Sequence, residues 1–262
     1  MIITSKDHAV IKEVSKLGSG AKYRREQGCF IAEGVRLCCD GVQSGAAVSA
    51  LLYTGDARSR YPKEFEMLSR GAERVYEISS GLFQKVSDTK TPQGFLCVFR
   101  MPEMGEFSVR RGARYAALEN IQDPSNLGTI LRTAEALGVD GAILSQDCCD
   151  VYSPKVVRGS MGAVFRVPVM ICSDFTGYIL QLTGSGIKTY ASTPHEAENI
   201  DNVDFSDGGV MLIGNEGSGL RAETIAACTK SVRITMKGRA ESLNAAAAAA
   251  ILMYRLQGQG EG

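Results

Sequence analysis

The sequence contains no tryptophan, only two histidines and no pair of cysteines in a Cys-x-x-Cys arrangement. Its eight cysteines are scattered along the chain, and their spacing does not build a zinc site. No apolar run approaches the roughly 20 residues that a membrane-spanning helix needs, and the N-terminus lacks the layout of a signal peptide. We therefore expect reduced thiols, no metal, no membrane association and a cytoplasmic location.

The chain also lacks an excess of either charge, because its 29 basic and 29 acidic residues cancel. The overall charge therefore gives no sign of a nucleic-acid partner. Basic residues do cluster locally, at 22–25 and at 110–114. An ordinary solvated surface accounts for either cluster.

The pattern of elements indicates two domains, as does a length of 262 residues. Short β-like runs alternate with helical stretches on both sides of a segment that carries proline, glycine and charge without periodicity. We predict a first α/β domain over 1–102, a linker over 103–112 and a second α/β domain over 113–262. In the second domain the alternation predicts a mainly parallel sheet with helices on both faces, and its predicted strands include 165–170 and 188–191.

The first stretch whose residues could take part in chemistry follows a predicted strand at 115–118 and contains Asn126 and Arg132. Capping residues at 123–125 predict a helix with Asn126 in its first turn and Arg132 about two turns in. Gly128 lies one turn before Arg132 on the same face, so a ligand could approach the guanidinium. An exposed helical arginine and a capping asparagine explain this segment equally well.

The second stretch is a predicted strand at 210–213 that leads into a glycine-rich loop containing Gly214 and Glu216. Such a turn, at the carboxyl end of a parallel strand, is where open α/β sheets bind ligands. The loop fits neither the P-loop nor the dinucleotide pattern, and Glu216 would repel a phosphate. A plain strand-to-helix turn is the alternative.

The third stretch precedes an alanine-rich segment, predicted to be helical over 243–256. It contains Ile234, Met236, Ser242, Leu243 and Asn244. Serine and asparagine are good helix-initiating residues, and that role alone explains Ser242 and Asn244.

In this order, the three stretches resemble the signature motifs of the SpoU (TrmH-like) RNA ribose methyltransferases. The motifs read Asn126-x-Gly-x-x-x-Arg132, Ile-Gly-Asn-Glu216-Gly-Ser-Gly-Leu, and Ile234-x-Met236 with Ser242-Leu-Asn244. The family usually has Ile-Pro-Met where this chain has Ile-Thr-Met, and a branched residue where Ala245 stands. Neither departure replaces a polar site residue, and the likeness covers nearly all of 115–256.

The N-terminal half resembles the substrate-binding domain, related to ribosomal protein L30e, that often precedes this catalytic domain. The likeness rests on the runs at 22–36 and 91–94. A separate domain of this kind favours rRNA as the substrate, and tRNA is the alternative.

The resemblance implies a trefoil-knotted C-terminal domain that binds S-adenosylmethionine, methylates a ribose 2′-hydroxyl of RNA and forms a homodimer whose active site takes residues from both chains. The catalytic residues it implies are Arg132, Asn126, Glu216, Ser242 and Asn244. The residues it implies for the cofactor are Gly214, Ile234, Met236 and Leu243. Our candidate phosphate contacts are Lys22, Arg24, Arg25, Lys155 and Arg158.

Arginine stays protonated in proteins, so we expect Arg132 to act as a clamp on a phosphate or on the developing alkoxide and not as a literal base. Two other function classes remain open. A noncatalytic RNA-binding or assembly protein of the same fold would not need all five polar site residues. A small-molecule α/β enzyme that uses a nucleotide lacks support, because the chain has neither a phosphate loop nor a dinucleotide fingerprint.

Overall fold

A computed structural model of the protein describes residues 2–102, 108–194, 196–240 and 242–258. In the first part of the chain the elements are α1 (Ala9–Ser19), α2 (Ala21–Gln27), β1 (Cys29–Glu33), α3 (Val35–Gln43), β2 (Val48–Tyr53), α4 (Gly55–Arg60), α5 (Pro62–Gly71), β3 (Val75–Glu77), α6 (Ser80–Val86) and β4 (Phe95–Arg100). Those that follow are β5 (Arg114–Leu118), α7 (Pro124–Ala136), β6 (Gly141–Ser145), α8 (Pro154–Gly159), β7 (Val169–Cys172), α9 (Phe175–Gly184), β8 (Thr189–Ser192), β9 (Glu198–Asn199), β10 (Gly209–Ile213), α10 (Ala222–Ala227), β11 (Lys230–Arg233) and α11 (Ala245–Leu256).

One compact unit comprises Met1–Glu103 together with Asp150–Arg166. Its sheet has the order β1-β4-β2-β3, with β4 antiparallel to both of its neighbours and β3 parallel to β2. Side chains alternate along a strand, so Leu96 and Val98 of β4 face one side of the sheet and meet the buried faces of α1 and α6. The apolar sequence of β4 is therefore explained by burial on both faces.

Aromatic packing places the segment 150–166 in this first unit. The ring centroids of Phe30 and Tyr152 lie 4.7 Å apart, and those of Phe99 and Phe165 lie 4.8 Å apart. Gly41 makes room for this cluster, because a Cβ there would lie 2.5 Å from Cζ of Phe99. Because the segment 150–166 packs within the first unit, the second unit is not one continuous stretch of the chain. That 113–262 forms a single domain stays a prediction.

The second unit comprises Met104–Cys149 and Val167–Gly262. Its described strands form a sheet in the order β7-β6-β5-β10-β8-β11-β9, and every pairing is parallel. Helix α9 and the end of α10 cover the face that carries Ala117, Ile143 and Leu212. Helices α7 and α11 pack against each other and against β6 and β10 on the other face. The predicted α/β fold with a parallel sheet is confirmed.

Some predicted elements differ from the structure. The strand expected at 165–170 begins only at Val169, after a short 3-10 turn at Ala163–Phe165, because Pro168 has no N–H to donate and Phe165 packs with Phe99. The two-residue strand β9 was not predicted. In the expected linker, 103–107 lie outside the described residues and 108–112 form neither helix nor strand.

All eight cysteines are free thiols. None of the helices in the described ranges is long and apolar enough to cross a membrane. Within the same ranges, no group of three or more His, Cys, Asp or Glu side chains could hold a metal ion.

Candidate active site

The three motif stretches meet at the carboxyl edge of the parallel sheet. Strands β5 and β10 pair in register, with Leu118 opposite Ile213, and the backbone N–H of Glu119 donates to Ile213 O at 2.9 Å. The loops that leave these two strands, 119–123 and 214–220, are therefore neighbours. Open parallel sheets bind their ligands at this edge.

A chain of side-chain hydrogen bonds connects the three motifs. Asn244 Nδ2 donates to Asn126 Oδ1 at 2.9 Å, and Asn126 Nδ2 donates to Glu216 Oε1 at 2.9 Å. Asn126 is only 8% exposed, so its amide is well shielded from competing water. Each of the three residues comes from a different motif, and the structure brings them together as a single polar unit.

Asn244 also begins helix α11, as its residue type predicts. Its Oδ1 accepts from the backbone N–H groups of Ala246 and Ala247 at 2.9 and 3.3 Å. The side-chain oxygen thus caps the helix while the side-chain nitrogen faces Asn126. The capping role and the site role, which the sequence left as alternatives, are compatible in one residue.

Glu216 lies where several donors converge. Besides Asn126, the backbone N–H groups of Gln122 and Asp123 donate to its carboxylate at 3.2 and 3.1 Å. Partial burial raises the pKa of Glu216 and is the largest single influence, but the hydrogen bonds together outweigh it and place the pKa below the ordinary value of 4.5. Glu216 is therefore an ionised carboxylate that holds two loops and Asn126.

This lowered pKa gives a pH dependence with a definite sign. A group with a depressed pKa in the folded state contributes stability that is fully present above its ordinary value and is lost as pH falls through the folded pKa. We expect Glu216→Gln to be less stable than the wild-type protein at pH 7, with the difference in Tm shrinking below about pH 4.5. Thermal unfolding from pH 7 to pH 3 measures it, and a pH-independent difference would contradict it.

A cavity of about 290 Å³ lies beside this polar unit in the second unit of the fold. That volume is just below the roughly 300–1,000 Å³ that is typical of small-molecule sites. The cavity is lined by residues at and after the ends of β8, β10 and β11, by the residues just before α11 and by α11 itself. They are Ser192, Thr193, Pro194, Ile213, Gly214, Asn215, Glu216, Gly217, Ser218, Gly219, Val232, Arg233, Ile234, Met236, Ser242, Leu243, Ala245, Ala248 and Leu252.

All four residues that the resemblance implied for the cofactor line this cavity: Gly214, Ile234, Met236 and Leu243. Met236 and Leu243 are 37% and 36% exposed, which is high for apolar side chains and leaves them available to a ligand. Gly214 has no room for a side chain, because a Cβ there would lie 2.5 Å from Gly219 O. The close approach of the two strands of the loop therefore requires glycine at this position.

Two of the implied catalytic residues lie outside the hydrogen-bonded unit. Arg132 is exposed on α7 and is not among the lining residues, and its side chain has no hydrogen bond or ion pair to another residue of the described ranges. Ser242 is exposed and lines the cavity. The structure thus gathers Asn126, Glu216 and Asn244, and leaves the Arg132 guanidinium open to solvent.

The candidate phosphate contacts lie in the first unit and differ in accessibility. Lys22, Arg25, Lys155 and Arg158 are exposed. Lys22 lies 3.8 Å from Glu26, and Arg158 forms an ion pair with Asp88 at 2.8 Å.

Arg24 requires a correction. Its side chain is 4% exposed, its guanidinium pairs with Asp150 at 2.6 Å, and it also donates to Leu17 O. A buried and fully engaged guanidinium cannot reach a phosphate without breaking that pair, a loss that typically costs about 3–5 kcal/mol. Arg24 is thus a structural residue of the first unit.

Sequence reasoning missed several contributors. Gln122 and Asp123 act through their backbone N–H groups, which residue types do not reveal. The residues at the end of β8 and just after it, 192–194, line the cavity because β8 is parallel to β10 and ends at the same edge. The predicted strand at 188–191 was the available signal for them.

Comparison with known families matches both halves of the chain. The profile described as the SpoU rRNA Methylase family matches residues 113–254. The profile described as the MRM3-like substrate binding domain matches residues 8–97.

Similar proteins span nearly the whole chain. The 23S rRNA (guanosine(2553)-2′-O)-methyltransferase RlmP of Bacillus subtilis is 30% identical over 256 residues, which cover 98% of this chain and 99% of that protein. A crystal structure of an AdoMet-bound rRNA methyltransferase from Sinorhizobium meliloti has a TM-score of 0.87 and 28% identity, covering 98% of this chain and 97% of the other. The SpoU methyltransferase AviRb from Streptomyces viridochromogenes, in complex with AdoMet, has a TM-score of 0.85 and 29% identity, covering 96% and 98%.

Proposed function

Because the chain belongs to the SpoU rRNA methylase family, we propose that it transfers a methyl group from S-adenosylmethionine to a ribose 2′-hydroxyl of rRNA. The observation that carries the proposal is the Asn244–Asn126–Glu216 hydrogen-bonded chain beside a cavity at the carboxyl edge of the parallel sheet. A noncatalytic RNA-binding protein would have no use for both features.

The cavity fits S-adenosylmethionine in its chemistry. The lining combines apolar side chains, such as Ile234 and Leu243, with the exposed backbone of a glycine-rich loop, a mixture that suits an adenosine group. The Glu216 carboxylate is compatible with the positive charge of a sulfonium and unsuited to a phosphate. When bound, S-adenosylmethionine supplies an electrophilic methyl group.

We assign the roles of the polar residues as follows. A ribose hydroxyl is a weak nucleophile, so it must be aligned and its developing negative charge stabilised. The Arg132 guanidinium provides that stabilisation, as a clamp on the oxygen or on the adjoining phosphate, since it does not lose its proton. Asn126, Glu216 and Asn244 hold the motif loops in position, and Ser242 orients groups at the cavity.

We further propose that the protein acts as a homodimer in the cytoplasm, with a knotted catalytic domain. An active site completed by a second chain accounts for Arg132 being exposed and apart from the cavity lining. Helix α11, which packs on α7, exposes Ile251 by 40% and Tyr254 by 67%, an apolar surface that a partner chain would cover.

Methyl transfer from labelled S-adenosylmethionine to RNA tests the function. The substrates are total RNA from cells that lack this protein, separated into rRNA and tRNA fractions. We expect one ribose 2′-O-methyl group in rRNA, mapped to a single nucleotide. Methyl transfer to tRNA alone would mean that tRNA, and not rRNA, is the substrate. Failure of the protein to bind S-adenosylmethionine would favour a noncatalytic RNA-binding role.

Exposed basic residues of the first unit provide a separate test of RNA binding. We propose that Lys22, Arg25, Lys155 and Arg158 bind phosphates. Neutralising one of these side chains should weaken binding and reduce the slope of log affinity against log salt by about 1. Arg25→Gln and Lys155→Gln are the variants, and Arg70→Gln, on α5 of the same unit, is the control. Equal slopes in all four proteins, wild type included, would show that these residues do not bind phosphates.

A further inference from the structure

Glu119 is a fully buried carboxylate that the mechanism above does not use. Its exposure is 0%, and it follows β5 at the edge of the sheet. Its Oε2 accepts from the backbone N–H of Arg221 at 2.8 Å, and its Oε1 accepts from Thr224 Oγ1 at 2.6 Å and from the Arg221 guanidinium at 3.3 Å. A buried charge is tolerated only with such partners, so the contacts are specific.

These contacts connect Glu119 to both ends of the glycine-rich loop 214–220. Its backbone N–H donates to Ile213 O, immediately before the loop, and its side chain accepts from Arg221 N, immediately after it. Inside the loop, Asn215 and Gly219 exchange two backbone hydrogen bonds of 3.1 and 3.0 Å. The loop is thus a short closed turn whose entrance and exit are both fixed by one residue.

The next residue adds a third contact to the same loop. Asn215 Nδ2 donates to Asn120 O at 2.8 Å. Asn120 has a φ of 56°, in the left-handed region that asparagine tolerates better than most residues. This conformation turns the Asn120 carbonyl towards Asn215, so consecutive residues after β5 hold the loop at its start, at its end and at Asn215.

The residues of this loop from Gly214 to Gly219 all line the cavity. We propose that Glu119 is a positioning residue for the cofactor: by joining Ile213 and Arg221 it fixes the shape of the loop that binds S-adenosylmethionine. The inference rests on the proposed function. Glu119 touches neither the cavity nor the hydrogen-bonded unit of Asn126, so its effect reaches the cofactor only through the loop.

The test replaces Glu119 with glutamine, which keeps its size but removes the charge from a site with three donors. The matched control is Glu223→Gln, an exposed carboxylate in the same helix as Thr224. Calorimetry with S-adenosylmethionine gives the Kd and the binding stoichiometry, and methylation assays give KM and kcat. We expect the Kd and the KM for S-adenosylmethionine to rise about tenfold in Glu119→Gln, with stoichiometry unchanged and kcat within about threefold.

A merely structural role would give a different result. Partial unfolding lowers the stoichiometry and kcat but leaves the Kd of the folded molecules unchanged, and that outcome, or an unchanged Kd at full stoichiometry, would overturn the inference. If Glu119→Gln does not fold, Thr224→Val removes one of the three donors to Glu119, together with the hydrogen bond between Thr224 and Thr176, and Thr176→Val removes the second contact alone. We expect about a threefold rise in Kd in Thr224→Val that Thr224→Ser reverses, and no rise in Thr176→Val. An unchanged Kd in Thr224→Val would then overturn it. Failure of the wild-type protein to bind would refute the proposed function, and the inference with it.

Discussion

Replacement of Arg132 by alanine is expected to lower kcat for RNA methylation by about 100-fold to 1,000-fold. This is the usual effect of removing one donor that stabilises a developing negative charge. The Kd for S-adenosylmethionine should not change, because Arg132 is not among the residues that line the cavity. Stability should change little, since the side chain is exposed on α7 and has no partner in the described part of the chain. Single-turnover methylation and calorimetry measure the two quantities.

Two further variants separate the role of the Arg132 guanidinium from that of its charge and from the loss of any exposed arginine. Arg132→Lys keeps the charge but loses the planar fork of donors, so an intermediate kcat supports the clamp. Arg110→Ala removes an exposed arginine of the same unit that lies 3.7 Å from Asp140, and its activity should match the wild type. Undiminished turnover in Arg132→Ala with normal cofactor binding would refute the assigned role.

Mixed dimers test whether Arg132 acts on the site of the partner chain. A chain with Arg132→Ala retains its cofactor cavity, and a chain with a blocked cavity retains its arginine. If the active site takes residues from both chains, random mixing of the two inactive proteins should restore up to about a quarter of wild-type activity, because half the dimers are mixed and each has one complete site. No recovery would place Arg132 and the cofactor in the same chain.

Replacement of Gly214 by alanine is expected to raise the Kd for S-adenosylmethionine at least about 100-fold, or to prevent folding of the second unit. The added Cβ would lie 2.5 Å from Gly219 O and also closer than 3.0 Å to the backbone of Leu220. Backbone atoms cannot rotate away as a side chain does, so the loop must open to accept the methyl group. We expect this opening to cost about 3 kcal/mol of binding free energy. Calorimetry and thermal unfolding distinguish loss of binding from loss of folding.

Gly184→Ala, at the end of α9 in the same unit, is the matched control, because Gly184 does not line the cavity. A Cβ at this position would lie in open space. We expect a Kd and a Tm close to those of the wild-type protein. Wild-type binding by Gly214→Ala would show that the loop is not held as closely as the structure describes.

Local patterns sufficed for much of the fold and for part of the site. The strand at Gly209–Ile213 and helix α7, with Asn126 in its first turn, follow from apolar runs and from capping residues. The glycine-rich loop after a parallel strand correctly indicated where a cavity would lie. The strand expected at 165–170 begins only at Val169, because Phe165 packs with Phe99 and Pro168 has no N–H to donate.

The sequence by itself determined the order of strands and helices, the position of the loops at one edge of the sheet and the residue types available there, because periodicity and capping act over a few residues. Only the tertiary structure decided which polar groups meet. Asn244 reaches Asn126 across 118 residues of sequence, and Glu119 reaches Arg221 across 102. It likewise decided that Arg24 is buried against Asp150 while Arg132 is exposed. Such pairings depend on parallel strands that bring distant segments side by side, and on burial, which makes a charged side chain require a partner. Neither effect can be read from the residues next to that side chain in the sequence.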